Sequence, residues 1–276
     1  MFGIYGLIGE KLGHSLSAII HEMFFDKSGF PGKYNLFEVK REFLKDSVRG
    51  LKALGIKGAN VTIPYKVDIM KYLDELTPEA EKIGAVNTIT ILGDRAIGSN
   101  TDYFGIGMTL KKLGIQIKGK TAVILGTGGS SRAASQYLLD QGIGELIFVS
   151  TNPDKARQYY KDFRIISYQE LSGIEGDLLI NCTPVGMYPE VNNSPVDKAH
   201  LKQFKAVFDL IYNPRQTLLL KNAIEMGMDA INGLYMLVCQ AAKAQELWNN
   251  NNIDMTLIDR VYLELERSCS LGEKGH

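Results

Sequence analysis

Residues Val123-Ile124-Leu125-Gly126-Thr127-Gly128-Gly129-Ser130-Ser131-Arg132-Ala133-Ala134 constrain the fold of this chain more than any other stretch. They read as a buried strand at 121–125, a glycine turn and an amphipathic helix at 132–139. That order holds a dinucleotide pyrophosphate. Gly126 makes the tight turn, Gly128 lets the backbone approach phosphate, and helix amides point at the anion. The third small position of the usual glycine fingerprint is Ser131. An ordinary strand–helix turn shares these glycines. The apolar strand before them and the amphipathic helix after them are the context a nucleotide site requires.

Strand patterns alternate with helix patterns along the whole chain, which predicts an α/β architecture in two domains. The first unit has strand patterns at 2–6, 34–38 and 58–63, the last stopped by Pro64. A hairpin at 86–92 and 96–99 turns at Gly93-Asp94. Helical patterns fall at 17–27, 42–54, 67–73 and 78–82. The second unit has strands at 121–125, 145–149, 178–181 and 206–210, with a short fifth at 229–231. Helices lie between them, as in a Rossmann-like doubly wound sheet. Two long helical patterns, 234–249 and 255–269, exceed what a nucleotide unit needs and are expected to return to the first. The expected division is 1–102 with 237–276 as a substrate-binding domain and 103–236 as a nucleotide-binding domain.

Lys plus Arg equals Asp plus Glu, 31 each, so no basic excess points to nucleic acid. No apolar run reaches the length of a membrane span. Cys182, Cys239 and Cys269 are widely spaced and fit a reducing compartment. With no charged leader or signal-peptide core at the N-terminus, the expectation is a cytoplasmic protein, monomer or homodimer, with a disordered tail at 272–276. His14 and His21 read as structural, because no metal-ligand spacing surrounds them and no metal is expected.

The first unit places polar residues at the ends of apolar segments. Four clusters stand out: His14-Ser15-Leu16-Ser17, Asn60-Val61-Thr62-Ile63-Pro64-Tyr65-Lys66, Gly84-Ala85-Val86-Asn87-Thr88, and Asn100-Thr101-Asp102. Together with GTGGSSRAA, NCTPVGM, DLIYNP and NGLYMLVCQA further on, they make the chain resemble the shikimate dehydrogenase family. The motifs run in the family's order over nearly the whole chain. The resemblance implies an enzyme that interconverts 3-dehydroshikimate and shikimate on the way to chorismate and the aromatic amino acids, with substrate in a cleft between two domains.

Reducing a ring ketone with a nicotinamide needs a proton donor at the oxygen as hydride arrives. A lysine ammonium beside a carboxylate donates that proton and stabilises developing negative charge. Lys66 and Asp102 match the family at both positions. The plainer alternatives are a surface lysine and a helix N-cap aspartate. The resemblance assigns the Ser15 and Ser17 hydroxyls to the substrate carboxylate, although either also suits an N-cap. It assigns Thr62, Asn87 and Gln240 to substrate hydroxyls and places Tyr212 at the substrate's edge. Gly126, Thr127, Gly128, Gly129, Ser130, Thr183, Leu210 and Gly233 match positions that line the cofactor. Met187 and Met236 either wall the nicotinamide or fill core.

The choice of cofactor is set at the end of the second nucleotide strand, where an acid favours NAD and an arginine favours NADP. NADP-dependent members commonly carry Asn-Arg-Thr there. This chain has Ser150-Thr151-Asn152, neither acid nor arginine. These three supply neutral donors, and Lys155 or Arg157 supplies charge, so NADP is the expected cofactor and NAD the alternative. A quinate/shikimate dehydrogenase accepting NAD, and a non-catalytic sensor of the same fold, are the rival functions.

Overall fold

The computed structural model describes residues 2–13 and 15–272, with side chains through Ser268. The expectations for His14, for the Cys269 side chain and for the tail after Gly272 lie outside the described residues. The chain divides into two compact units. One is formed by the chain up to Gly105 and from Leu237 onward, the other by Ile106–Met236.

The first unit contains β1 (Gly3–Gly9), α1 (Ser17–Ser28), β2 (Gly32–Glu38), α2 (Leu44–Ala53), β3 (Gly58–Val61), β4 (Glu75–Leu76), α3 (Pro78–Ile83), β5 (Thr88–Leu92) and β6 (Arg95–Ser99). The sheet order is β2-β1-β3-β5-β6-β4. β2, β1 and β3 are parallel, β5 is antiparallel to both β3 and β6, and β4 lies parallel to β6. Residues Leu44, Val48 and Leu51 give α2 a buried stripe at helical spacing. They pack with Ile8, Val61, Tyr65 and Ile89 in one core. β1 runs three residues beyond the expected 2–6. Gly6 does not end it, because a Cβ there would strike the Phe37 ring, so this glycine spaces a close packing contact. The expected helix at 67–73 is a short 3-10 turn, Asp68–Tyr72. β4 escaped the sequence reading because two residues carry no periodicity.

The helix α4 (Asp102–Leu113) leads out of the first unit, and the second follows it with β7 (Thr121–Leu125), α5 (Gly129–Asp140), β8 (Glu145–Val149), α6 (Pro153–Arg157), β9 (Arg164–Ile166), β10 (Leu178–Asn181), α7 (Lys198–Leu201), β11 (Ala206–Asp209), α8 (Leu218–Glu225) and β12 (Asp229–Ile231). All six strands are parallel, in the order β12-β11-β10-β7-β8-β9. This is the doubly wound order, and its direction of growth reverses between β7 and β10. β10 and β11 are buried throughout, and β7 and β8 all but their first residues, as parallel strands covered on both faces require. β9, three residues at the sheet edge, was not expected. Two adjacent isoleucines are too short a signal.

The expected return of the C-terminal helices is borne out. α9 (Leu234–Asn249) and α10 (Met255–Gly272) pack on the first unit. Trp248 of α9 donates from Nε1 to the Ile89 carbonyl of β5 at 2.9 Å and stacks on Tyr5 of β1. Lys27 of α1 meets Glu264 of α10 at 3.0 Å.

Candidate functional site

In the first unit the chemistry-bearing side chains gather around Lys66. The chain leaves β3 at Val61 and makes a turn closed by Tyr65 N–H donating to the Thr62 carbonyl. Tyr65 is fully buried, and its hydroxyl donates to the Val39 carbonyl at 2.6 Å. The Lys66 carbonyl accepts from Val86 N–H at 2.7 Å. The backbone on both sides of the lysine is therefore pinned, and its side chain is directed rather than free to wave. Lys66 Nζ donates to Asp102 Oδ2 at 2.6 Å, with side-chain exposures of 13% and 6%. A surface-lysine reading does not survive that burial.

Asp102 opens α4 but does not cap it. Asn100 Oδ1 accepts from Tyr103 N–H, leaving the Asp102 carboxylate to its two partners. Oδ2 receives Lys66, and Oδ1 receives Asn87 Nδ2 at 2.7 Å. Asn87 Oδ1 accepts from Thr101 N–H at 2.7 Å. Gln240 of α9 turns its Nε2 to the Leu237 carbonyl and its Oε1 toward Thr101 Oγ1, 3.4 Å away. The structure thus brings together Lys66, Asp102, Asn87 and Gln240. Thr62 sits four residues before Lys66 on the same turn.

Ser15 and Ser17 form their own pair at the start of α1. Leu16 occupies the N-cap position and no side chain caps the helix, while Ser17 N–H donates to Ser15 Oγ at 3.2 Å. The N-cap alternative for these serines is thereby corrected. The segment is tied back by Leu12 N–H donating to Glu38 Oε1 at 2.8 Å. It follows β1 as the Lys66 turn follows β3. Both leave the carboxyl ends of neighbouring parallel strands, where α/β sheets present ligand sites. His21 is a core residue. It stacks on Tyr34 at 4.1 Å, its Nδ1 lies 3.0 Å from Gln245 Nε2, and burial pushes its pKa down to about 3. Among the described residues no group of three or more His, Cys, Asp or Glu is arranged to hold a metal ion.

In the second unit, Gly126 follows β7 with φ +95°, and a Cβ there would press on Thr183 Cγ2 at 2.9 Å. Only glycine fits this turn between β7 and β10. A Cβ on Gly128 would meet nothing within 4 Å. α5 begins at Gly129, three residues earlier than expected, so Ser130 lies in its first turn. Ser131, in the fingerprint's third position, is fully buried, and its hydroxyl donates to the Gly128 carbonyl at 2.6 Å and meets Tyr160 OH at 3.1 Å. The helix packs closely because serine is small, and its hydroxyl is satisfied. An open glycine turn feeding a twelve-residue helix at the switch point fits a pyrophosphate.

The loop after β8 is ordered by its own side chains. Ser150 Oγ accepts from Asn152 N–H, and Asn152 Oδ1 caps α6 by accepting from Lys155 N–H, each at 3.1 Å. Thr151 and Lys155 are exposed. Arg157 donates to Asp154 at 2.7 Å and to the Ile165 carbonyl at 3.1 Å, and its side chain stays 53% exposed.

At the ends of β10 and β11, Thr183 N–H and Oγ1 both donate to Asn181 Oδ1, at 3.0 and 2.7 Å. Asn181 Nδ2 donates to Asp209, which also receives Ile211 N–H and the Thr217 hydroxyl. Burial pushes the Asp209 pKa up to about 6. Leu210 follows β11, and a Cβ on Gly233 would overlap the Leu210 carbonyl, so this position admits only glycine. Tyr212 lies on the same segment, half-buried. Met236 is buried and Met187 is exposed. Sequence reasoning gave no role to Asn60, Thr88, Thr101, Asn181 or Asp209. Their signal was a polar residue at the end of an apolar run.

Comparison with known proteins places this arrangement. Residues 7–89 match the family model described as the shikimate dehydrogenase substrate binding domain. The shikimate dehydrogenase (NADP(+)) of Clostridium perfringens is 45% identical over 266 residues, covering 95% of this chain and 98% of the relative. The chain belongs to the shikimate dehydrogenase family. Among solved structures, the chorismate mutase/shikimate 5-dehydrogenase fusion protein from Clostridium acetobutylicum is 50% identical with a TM-score of 0.95, over 98% of this chain and 99% of that one. Shikimate 5-dehydrogenase from Thermus thermophilus, solved in complex with NADP(H) and shikimate, is 30% identical with a TM-score of 0.86, over 95% and 99% of the two chains. The two-domain α/β fold expected from the motifs is the fold of this family.

Proposed function

We propose that this protein catalyses the reversible NADPH-dependent reduction of 3-dehydroshikimate to shikimate in aromatic amino-acid biosynthesis. The Lys66–Asp102 pair carries this reading, a lysine ammonium and a carboxylate 2.6 Å apart and nearly buried. When bound, the nicotinamide supplies a hydride to the ketone carbon. As that C–H bond forms and the carbonyl π bond breaks, the Lys66 ammonium gives its proton to the oxygen, which becomes the hydroxyl. In the reverse direction the neutral amine takes that proton back. Asp102 holds Nζ in place and balances its charge in a water-poor setting, where such a pair acts strongly on the developing alkoxide.

The substrate carboxylate is bound by the hydroxyls of Ser15 and Ser17, and its ring hydroxyls by Thr62, Asn87 and Gln240, with Tyr212 at its edge. Gly126, Thr127, Gly128, Gly129 and Ser130 receive the pyrophosphate on backbone amides of the turn and of α5. Thr183, Leu210 and Gly233 line the nicotinamide half. The first unit is the substrate domain and the second the nucleotide domain of a cytoplasmic enzyme.

Ser150, Thr151, Asn152 and Lys155 face the adenosine ribose. NADP is the cofactor, as in the relatives named for it. One observation favours a second reading in which NAD is also accepted. The loop offers neutral donors, and Arg157 is held by Asp154. Initial rates with shikimate or quinate, each with NADP or NAD, test both. The proposal expects turnover with shikimate and preference for NADP. Preference for quinate with NAD would replace it with the second reading, and no turnover in any arm would leave a binding protein.

A further inference from the structure

Thr88 opens β5 and is fully buried, so it touches no substrate. Yet its hydroxyl stands at the centre of the hydrogen-bond network behind the Lys66–Asp102 pair. The donors and acceptors of that network can be assigned from its ends. The Asp102 carboxylate only accepts, so the atom of Asn87 at 2.7 Å from it is the donor Nδ2. Thr101 N–H only donates, so Asn87 Oδ1 is its acceptor. On the other side, the Tyr34 hydroxyl donates to Asn60 Oδ1 at 2.8 Å, which turns Asn60 Nδ2 toward Thr88 Oγ1 at 3.0 Å. Thr88 accepts that bond and gives its own proton to Asn87 Oδ1 at 3.0 Å. Thr101 Oγ1 also lies 3.0 Å from Thr88 Oγ1, where either hydroxyl can donate, and accepts from Asn87 Nδ2 at 3.1 Å. With the Thr88 proton on Asn87 Oδ1, the Thr101 hydroxyl is the donor to Thr88.

We infer that Thr88 is a positioning residue for proton transfer. Its hydroxyl holds the Asn87 amide with the NH2 toward Asp102, so that the carboxylate turns Oδ2 to Lys66. It also draws the Thr101 hydroxyl proton to itself and leaves Gln240 Oε1 to accept from substrate. This rests on the function proposed above.

Thr88→Val keeps the shape and removes the hydroxyl. Asn87 Oδ1 then loses one of its donors, and Asn60 Nδ2 keeps only its 3.3 Å bond to the Asn87 carbonyl. The Thr101 proton turns to Gln240 Oε1, 3.4 Å away. Small misplacement of reacting groups costs rate steeply, so kcat for shikimate oxidation falls by about tenfold or more. KM for shikimate rises, KM for NADP stays unchanged, and the solvent deuterium isotope effect on kcat grows as proton transfer becomes slower. Thr88→Ser keeps the hydroxyl and restores kcat. If Thr88→Val does not fold, Thr88→Ala carries the same comparison.

A hydroxyl-free variant with wild-type kcat and only a lowered melting temperature would overturn the inference. So would a Thr88→Ser enzyme as slow as the hydroxyl-free one, because packing would then be the cause. A wild type inactive with shikimate and NADP would instead overturn the proposed function, and this inference with it.

Discussion

A few buried polar residues decide most of the behaviour at the residue scale. Asp209 is the clearest ionisable case. Its carboxyl is held at about 6 against an ordinary 3.8, chiefly by burial. The folded chain therefore binds this proton more tightly than the unfolded chain does. Stability from this group is greatest at low pH, falls as pH rises from about 4 to about 6, and stays low above that. The ionised carboxylate costs the fold about 3 kcal/mol at neutral pH by this linkage. Asp209→Asn retains an acceptor for Ile211 N–H and turns its NH2 to Thr217 Oγ1, whose hydroxyl can reverse. It is expected to be more stable than wild type near about pH 8, with the advantage shrinking toward about pH 5. Denaturant titrations at both pH values check this, and an advantage independent of pH would contradict it. Ser15 and Ser17 make a different prediction. Replacing either by alanine should weaken shikimate binding by about 1.5–3 kcal/mol, the scale of a hydrogen bond to a charged group, with unchanged NADP affinity. Equal loss of melting temperature and no change in substrate affinity would leave only the local Ser15–Ser17 bond.

At the scale of elements, legibility followed the length of each periodic signal. β7, β8 and β10 were read at their observed boundaries because four- and five-residue apolar runs between turn residues are unambiguous. α9 was read in full because sixteen residues of helical pattern leave no alternative. β4 and β9 were not legible, being two and three residues that exist only because a neighbouring strand offers hydrogen bonds. The start of α5 was misplaced because Gly129 and Ser130 have poor helix propensity, which hides a helix start from a sequence reading. In the site, Lys66 and Asp102 were legible from their motifs, but the roles of Asn60, Thr88 and Thr101 were not. Those depend on which atoms meet across β2, β3, β5 and β6, and no local pattern encodes that. The loop between β8 and α6 carries a prediction of its own. A bidentate arginine grips a phosphate more strongly than neutral donors do. Thr151→Arg should raise the NADP preference over NAD by about tenfold, equivalent to about 1.4 kcal/mol. Catalytic efficiencies with both cofactors measure the ratio, and an unchanged ratio would show that this loop does not meet the 2′-phosphate.

On the scale of the whole molecule, the two units divide the work. The first unit holds the Lys66–Asp102 pair proposed for proton transfer and the proposed substrate contacts other than Tyr212, and the second holds Tyr212 and the glycine turn proposed for the nucleotide. Lys66 and the glycine turn lie in different units, so proton transfer and nucleotide binding should fail separately. Lys66→Ala tests this most directly. The variant should fold and bind NADP with wild-type affinity, measured by titration calorimetry, because the glycine turn and α5 belong to the other unit. Its turnover with shikimate should fall by about 10²–10⁴-fold, the usual scale for a general acid–base group. Turnover close to wild type in a variant with intact NADP binding would contradict the assignment of Lys66 and Asp102 as the catalytic pair.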